Sequence, residues 1–128
     1  MKRILHISAR PDRTEWVAAA LKQRGYRVTT AENGQQGIEH LSKATYDLIL
    51  LALHVPVRPA DRLVEWVVVN RPHMKSRILV VHENELPEGL DAFLESLEIP
   101  RISVPFTNGK LVQFVSTMVS VRQYALAS

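Results

Sequence analysis

The chain has 128 residues, 46% of them hydrophobic, the length and apolar content of one ordinary domain able to build a core. It contains no cysteine, which removes disulfides, thiolate nucleophiles and cysteine-ligated zinc, and no run of about 18 apolar residues that would span a bilayer. The net charge of +3 comes from 16 basic and 13 acidic residues interleaved along most of the chain, so it is weak grounds for an acidic partner.

The start, Met1-Lys2-Arg3, leads into a strand-like Ile4-Leu5-His6-Ile7 rather than a secretion signal, and a soluble cytoplasmic protein is expected. His6, central in that strand, reads as a core histidine. Pro11 to Arg24 carries Val17, Ala20, Leu21 and Arg24 at helical spacing, and Gly25 follows as a stop signal. Arg27 to Ala31 reads as a second strand, and Asn33-Gly34 opens a shorter helix with Ile38 and Leu41 on one side. Leu48 to Leu53 and Ile78 to Val81 are apolar without alternation, the pattern of strands buried on both faces.

Asp61 to Asn70 is ambiguous, because Val67-Val68-Val69 favours a strand while Leu63, Val64, Trp66 and Val67 form a wide helical stripe. Parallel strands need a crossover there, so it is read as helix. The densest basic stretch, Asn70 to Arg77, contains Pro72 and reads as a solvated loop. Leu86, Leu90, Phe93, Leu94 and Leu97 mark a fourth helix, weakened by Pro87 and Gly89. Ile102 to Val104 is the fifth strand, and Asn108 to Tyr124 a last helix with Leu111, Val112, Val115, Met118 and Val119 facing inward. Trp16, Trp66 and Phe93 are assigned to the core. Five strands alternating with five helices predict an α/β fold, a doubly wound flavodoxin-like (βα)5 parallel sheet of order 2-1-3-4-5.

The stretch Gly25-Tyr26-Arg27-Val28-Thr29-Thr30-Ala31-Glu32-Asn33-Gly34, followed by Tyr46-Asp47-Leu48-Ile49-Leu50-Leu51, resembles the second-strand and third-strand segments of response-regulator receiver domains of the CheY-like type. Pro56 falls where that family has a proline after its acceptor strand, and Val104-Pro105-Phe106 falls where it has Lys-Pro-Phe. The resemblance covers residues 2 to 122, and implies a receiver-like domain over 1–122 with a C-terminal tail at 123–128. It also implies a cis Val104-Pro105 bond.

Receivers take a phosphoryl group from a histidine kinase onto an aspartate at the C-terminal end of the third strand, and by this resemblance that position is Ala52. The acidic pair that holds Mg²⁺ becomes Ser8 and Ala9. The Thr or Ser ending the fourth strand becomes His82, and the lysine ending the fifth becomes Val104. Neither Ser8 nor Ala9 supplies the charged oxygen that a hard cation requires, and phosphoryl transfer rests on such positioning and charge neutralisation.

A displaced acceptor is not evident. Asp47 begins the third strand, roughly 16 Å from Ala52 at about 3.3 Å per residue. Asp12 suits the first turn of a helix, and Glu83 and Glu85 lack metal partners. The resemblance therefore implies a pseudo-receiver in bacterial two-component signal transduction, with no catalytic residue, no metal and no cofactor expected.

Its partner would be a signalling or output protein, or a second copy of the chain. The face built from the fourth helix, fifth strand and fifth helix is the family's common contact surface, and Phe114, Val121 and Ala125 widen the apolar stripe there beyond what one sheet-facing side needs. No membrane partner is expected, and no helix-turn-helix, zinc-finger or aromatic-basic pattern favours nucleic acid.

The alternative is a small-ligand, anion-binding or enzymatic domain using the crevice at the C-terminal strand ends, where Ser8, Arg10, His54, Arg58 and His82 would gather. Against it, no triad or third metal ligand is visible. Its arginines also have local acids, Asp12, Glu15, Asp61 and Glu65, to pair with.

Overall fold

The computed structural model describes residues 2–9, 11–52, 60–82, 89–103 and 108–127. Along the chain run β1 (Arg3–Ile7), α1 (Pro11–Lys22), β2 (Arg27–Ala31), α2 (Gly34–Lys43), β3 (Leu48–Ala52) and α3 (Ala60–Asn70). A short 3₁₀ helix (Pro72–Arg77), β4 (Ile78–His82), α4 (Leu90–Ser96), β5 (Arg101–Ser103) and α5 (Asn108–Ala127) complete it. The five strands form one parallel sheet in the order β2-β1-β3-β4-β5, as the alternation of strand and helix predicts.

The sheet separates two apolar layers because successive strand residues point to opposite faces. On one face Leu5, Ile7, Ile49, Leu51, Ile78 and Val80 meet Leu41 of α2, Leu63, Val64 and Val67 of α3, and Leu94 of α4. On the other, Ile4, Leu48, Leu50, Leu79, Val81 and Ile102 meet Val17 and Leu21 of α1 and Leu111, Val112, Val115 and Val119 of α5. Central β3 is buried at every position, whereas edge strand β2 is partly exposed. That is why the sequence of β3 is apolar throughout while β2 carries Arg27, Thr29 and Thr30. Trp16 packs partly buried against the second layer, and Trp66 and Phe93 against the first.

Helix ends follow local chemistry. Asn33 caps α2 by accepting from the Gln36 amide at 2.9 Å. Beyond α1 the Gly25 amide donates to Lys22 O at 3.0 Å and the Tyr26 amide to Leu21 O at 3.3 Å, with Gly25 at φ 86°. This paired closure requires a left-handed residue, and glycine adopts it without strain. After α4 the same pattern recurs, Glu98 to Glu95 O and Ile99 to Leu94 O, but Glu98 holds the left-handed position at φ 58°.

Three local expectations change. Asn70 to Arg77 is not a solvated loop: its second part is a 3₁₀ helix whose Met74 is fully buried in the core. The basic residues obscured that single apolar anchor. Gly89 lies before α4 at φ 86°, as its N-cap, so it does not weaken the helix from within. Finally, α5 continues past Tyr124 to Ala127.

Close approach matters at Gly37. A methyl group there would stand 2.6 Å from Ile7 Cδ1, so α2 lies nearer to β1 than any larger residue permits without Ile7 moving.

Candidate functional site

Parallel strands end together, which gathers their last residues along one crevice edge. The Ser8 amide donates to Ala31 O at 2.9 Å, carrying the β1–β2 ladder one residue past the end of β1. Ile7 is in register with Leu51, so the next step sets Ser8 opposite Ala52. Ala52 is itself in register with Val81, and His82 with Ser103. Ser8, Ala52 and His82 therefore close three adjacent strands, β1, β3 and β4, at a strand spacing of about 4.8 Å. Ser8 is 2% exposed and Ala52 6%, while Ala9 and His82 are half-buried.

These strand ends offer a hydroxyl, an imidazole and two methyl groups. None of the four is a carboxylate, and among the described residues no group of three His, Asp or Glu could hold a metal ion. The chemistry these four offer is hydrogen bonding by a hydroxyl and an imidazole, and a hard cation finds no charged oxygen on Ser8, Ala9, Ala52 or His82. Arg10, His54, Arg58, Glu83, Glu85, Val104 and Pro105 lie outside the described residues, as do the side chains of Asp12 and Val121.

Asp47 stands at the opposite end. Its amide donates to Arg3 O at 2.7 Å, and its carboxylate accepts from the Arg3 amide at 2.8 Å. This reciprocal pair locks the start of β1 against the turn before β3. His6 is 2% exposed within β1.

On α5, half-buried Phe114 lines a groove of about 450 Å³ with Pro100, Lys110, Gln113, Thr117 and Met118. The groove lies where α5 meets Pro100, the residue before β5, and Phe114 and Met118 also pack against the second apolar layer. The opposite flank of the helix is tied to the residue before β2 through a 2.8 Å hydrogen bond between Ser116 Oγ and Tyr26 Oη.

Sequence reasoning passed over the N-terminal edge of the sheet. Arg3, Arg27 and Arg101 open β1, β2 and β5, and Arg77 immediately precedes β4. The available signal was an arginine repeatedly placed before an apolar run, which a parallel sheet converts into one charged edge.

No protein-family model and no curated protein matches the chain. Solved structures do. A CheY-like response regulator receiver domain protein from Methanospirillum hungatei superposes with a TM-score of 0.88 at 19% identity, over 98% of each chain. The response regulator protein TrrA from Thermotoga maritima, solved in complex with Mg²⁺ and beryllofluoride, gives 0.77 at 22% identity, over 92% of this chain and 99% of its own. A structure representing redox sensors of streptococci that evolved from two-component response regulators gives 0.88 at 23% identity, over 98% of this chain but 54% of its own. At such identities the likeness shows the fold: this chain has the receiver-domain fold of two-component response regulators. Among the described residues no helix is long and apolar enough to cross a membrane.

Proposed function

We propose that this domain is a signalling module that keeps the receiver fold, accepts no phosphoryl group, and acts in the bacterial cytoplasm through protein–protein contact. The observation that carries this reading is Ala52 as the last residue of β3, a methyl group where the resemblance calls for the acceptor carboxylate. Ser8, Ala9 and His82 beside it, and Val104 in sequence, replace the acidic pair, the hydroxyl and the lysine of the same resemblance. Losing one group would lower the rate of phosphoryl transfer. Losing nucleophile, metal ligands and charge stabilisers together leaves nothing for the step to proceed through.

The groove lined by Phe114 and Met118, beside β5, supports a contact surface on the α4-β5-α5 face, for a second copy or an output protein. The streptococcal neighbour, described as a redox sensor evolved from response regulators, is a precedent for turning this fold to another input. A thiol-based version of that input is closed to the present chain, which has no cysteine.

The test is exposure to acetyl phosphate, and separately to beryllofluoride, with Mg²⁺. The expected result is an unchanged mass and an unchanged amide spectrum, and uptake of one equivalent refutes the reading. Ala52→Asp alone should also take up nothing, because Ser8, Ala9 and Val104 leave the new carboxylate without metal or lysine. Sedimentation velocity of wild type and Phe114→Ala reports on the proposed face if the partner is a second copy.

A further inference from the structure

The N-terminal edge of the sheet holds a depression of about 440 Å³ lined by Arg3, Ser42, Lys43, Thr45 and Arg71, with Leu41 and Ala44 as its apolar wall. Three segments remote in sequence supply the cations: the first residue of β1, the last of α2 and the one following α3. We infer that this depression is a binding site for a small phosphate-bearing ligand, with Arg3, Lys43 and Arg71 as its anion contacts. It lies at the opposite end of the strands from Ala52 and does not depend on what the crevice there does.

The volume falls within the range of small-molecule sites, roughly 300–1,000 Å³. Its arginines are held in place before any ligand arrives. The Arg3 guanidinium lies 5.1 Å from the Tyr46 ring centroid, and that of Arg71 lies 5.8 Å from the Trp66 ring while Nη1 donates to Asn70 O at 2.8 Å. A guanidinium fixed on an aromatic face loses little freedom on binding, and its planar fork matches two phosphate oxygens. Nε of Arg3 is sealed from solvent without a hydrogen bond, so an anion in the depression would be met by the terminal amino nitrogens of that fork.

Two negative features lie nearby. The C-terminal end of α2 carries about half a negative charge, and the Asp47 carboxylate is engaged by the Arg3 amide. Three cations outweigh both. Among the described residues none of Arg3, Lys43 and Arg71 has a carboxylate within ion-pair distance. Lys2, Lys22, Arg24 and Arg27 on the β2 side and Lys75 and Arg77 on the β4 side belong to the same end of the sheet. Their field raises the local concentration of anions without contacting the ligand.

The experiment is an amide chemical-shift titration of the full chain with inorganic phosphate, pyrophosphate and ATP in separate arms, run to millimolar concentration. Saturable shifts at Arg3, Lys43, Thr45 and Arg71 are expected, stronger with the two polyphosphates. Lys43→Ala should weaken binding by about tenfold. Arg24→Ala, outside the depression, should change it less than about twofold, the scale of an exposed charge. Lys43 and Arg24 are both exposed, so each variant keeps the fold. Three results would overturn the inference: no saturable shift in any arm, equal weakening by both substitutions, or a single-stranded oligonucleotide binding far more tightly than ATP. The last would assign the edge to nucleic acid.

Discussion

At the C-terminal end of the strands Ser8, Ala9, Ala52 and His82 bring neither a carboxylate nor an arginine or lysine. At the N-terminal end Arg3, Arg27, Arg77 and Arg101 stand at or beside the first residues of four strands. Between these ends β1, β3 and β4 are almost continuously buried, with aliphatic side chains on both faces except for His6 in β1. Packing on two sides fixes residue type in the strand middles, because a polar or resized side chain there is felt by both layers. Only the ends touch solvent on one side, so only there can the chemistry change while the sheet remains. The chemistry of either edge can therefore vary without altering the framework.

Substitution tests that contrast, and the largest effect is expected in the shared middle. Leu50→Ala empties a fully buried position between β3 and the α1–α5 layer, and urea denaturation should show a loss of about 2–5 kcal/mol. A loss under about 1 kcal/mol would mean that the centre of the sheet is not the common framework of both ends. Next is Ala52→Asp, which puts a carboxylate at a 6% exposed site beside Ser8 and His82. It should destabilise by up to about 3 kcal/mol; unchanged stability would indicate a cationic crevice and favour the anion-binding alternative.

Asp47→Ala removes the acceptor of the Arg3 amide, with an expected cost of about 1.5–2 kcal/mol. A negligible change in the urea midpoint would show that the N-terminal edge does not need this lock. The smallest effect has the opposite sign. Glu98→Gly relieves a left-handed residue at the closure of α4, and the melting temperature should rise by the equivalent of about 0.5–1 kcal/mol. A fall would mean that the Glu98 side chain contributes more than its backbone strain removes.

The strands and most helices were legible because period and run length follow directly from two-sided burial. Even the ambiguous Asp61–Asn70 segment resolved, since a parallel sheet demands a crossover, and Leu63, Val64 and Val67 are buried as a helical stripe needs. The 3₁₀ helix escaped because one residue, Met74, anchors it among five polar, charged or proline neighbours. The crevice edge was legible only through resemblance: an alanine has no chemistry of its own to announce, and Ala52 acquires meaning from what other chains carry there. The basic depression was illegible for a different reason. Positions 3, 43 and 71 share no motif or spacing, and only the stacking of β1, α2 and α3 brings them to one place.

The contact between Gly37 and Ile7 makes the two positions interdependent. With 2.6 Å between the missing methyl of one and the tip of the other, a side chain at 37 requires Ile7 to shift or shrink. Ile7→Val removes the 2.6 Å contact but leaves a γ carbon at 3.1 Å, so it eases Gly37→Ala without freeing it, and the two changes together should be milder than the sum of each made singly. Ile7 directly precedes Ser8, so this coupled pair fixes the backbone position from which one lip of the crevice begins.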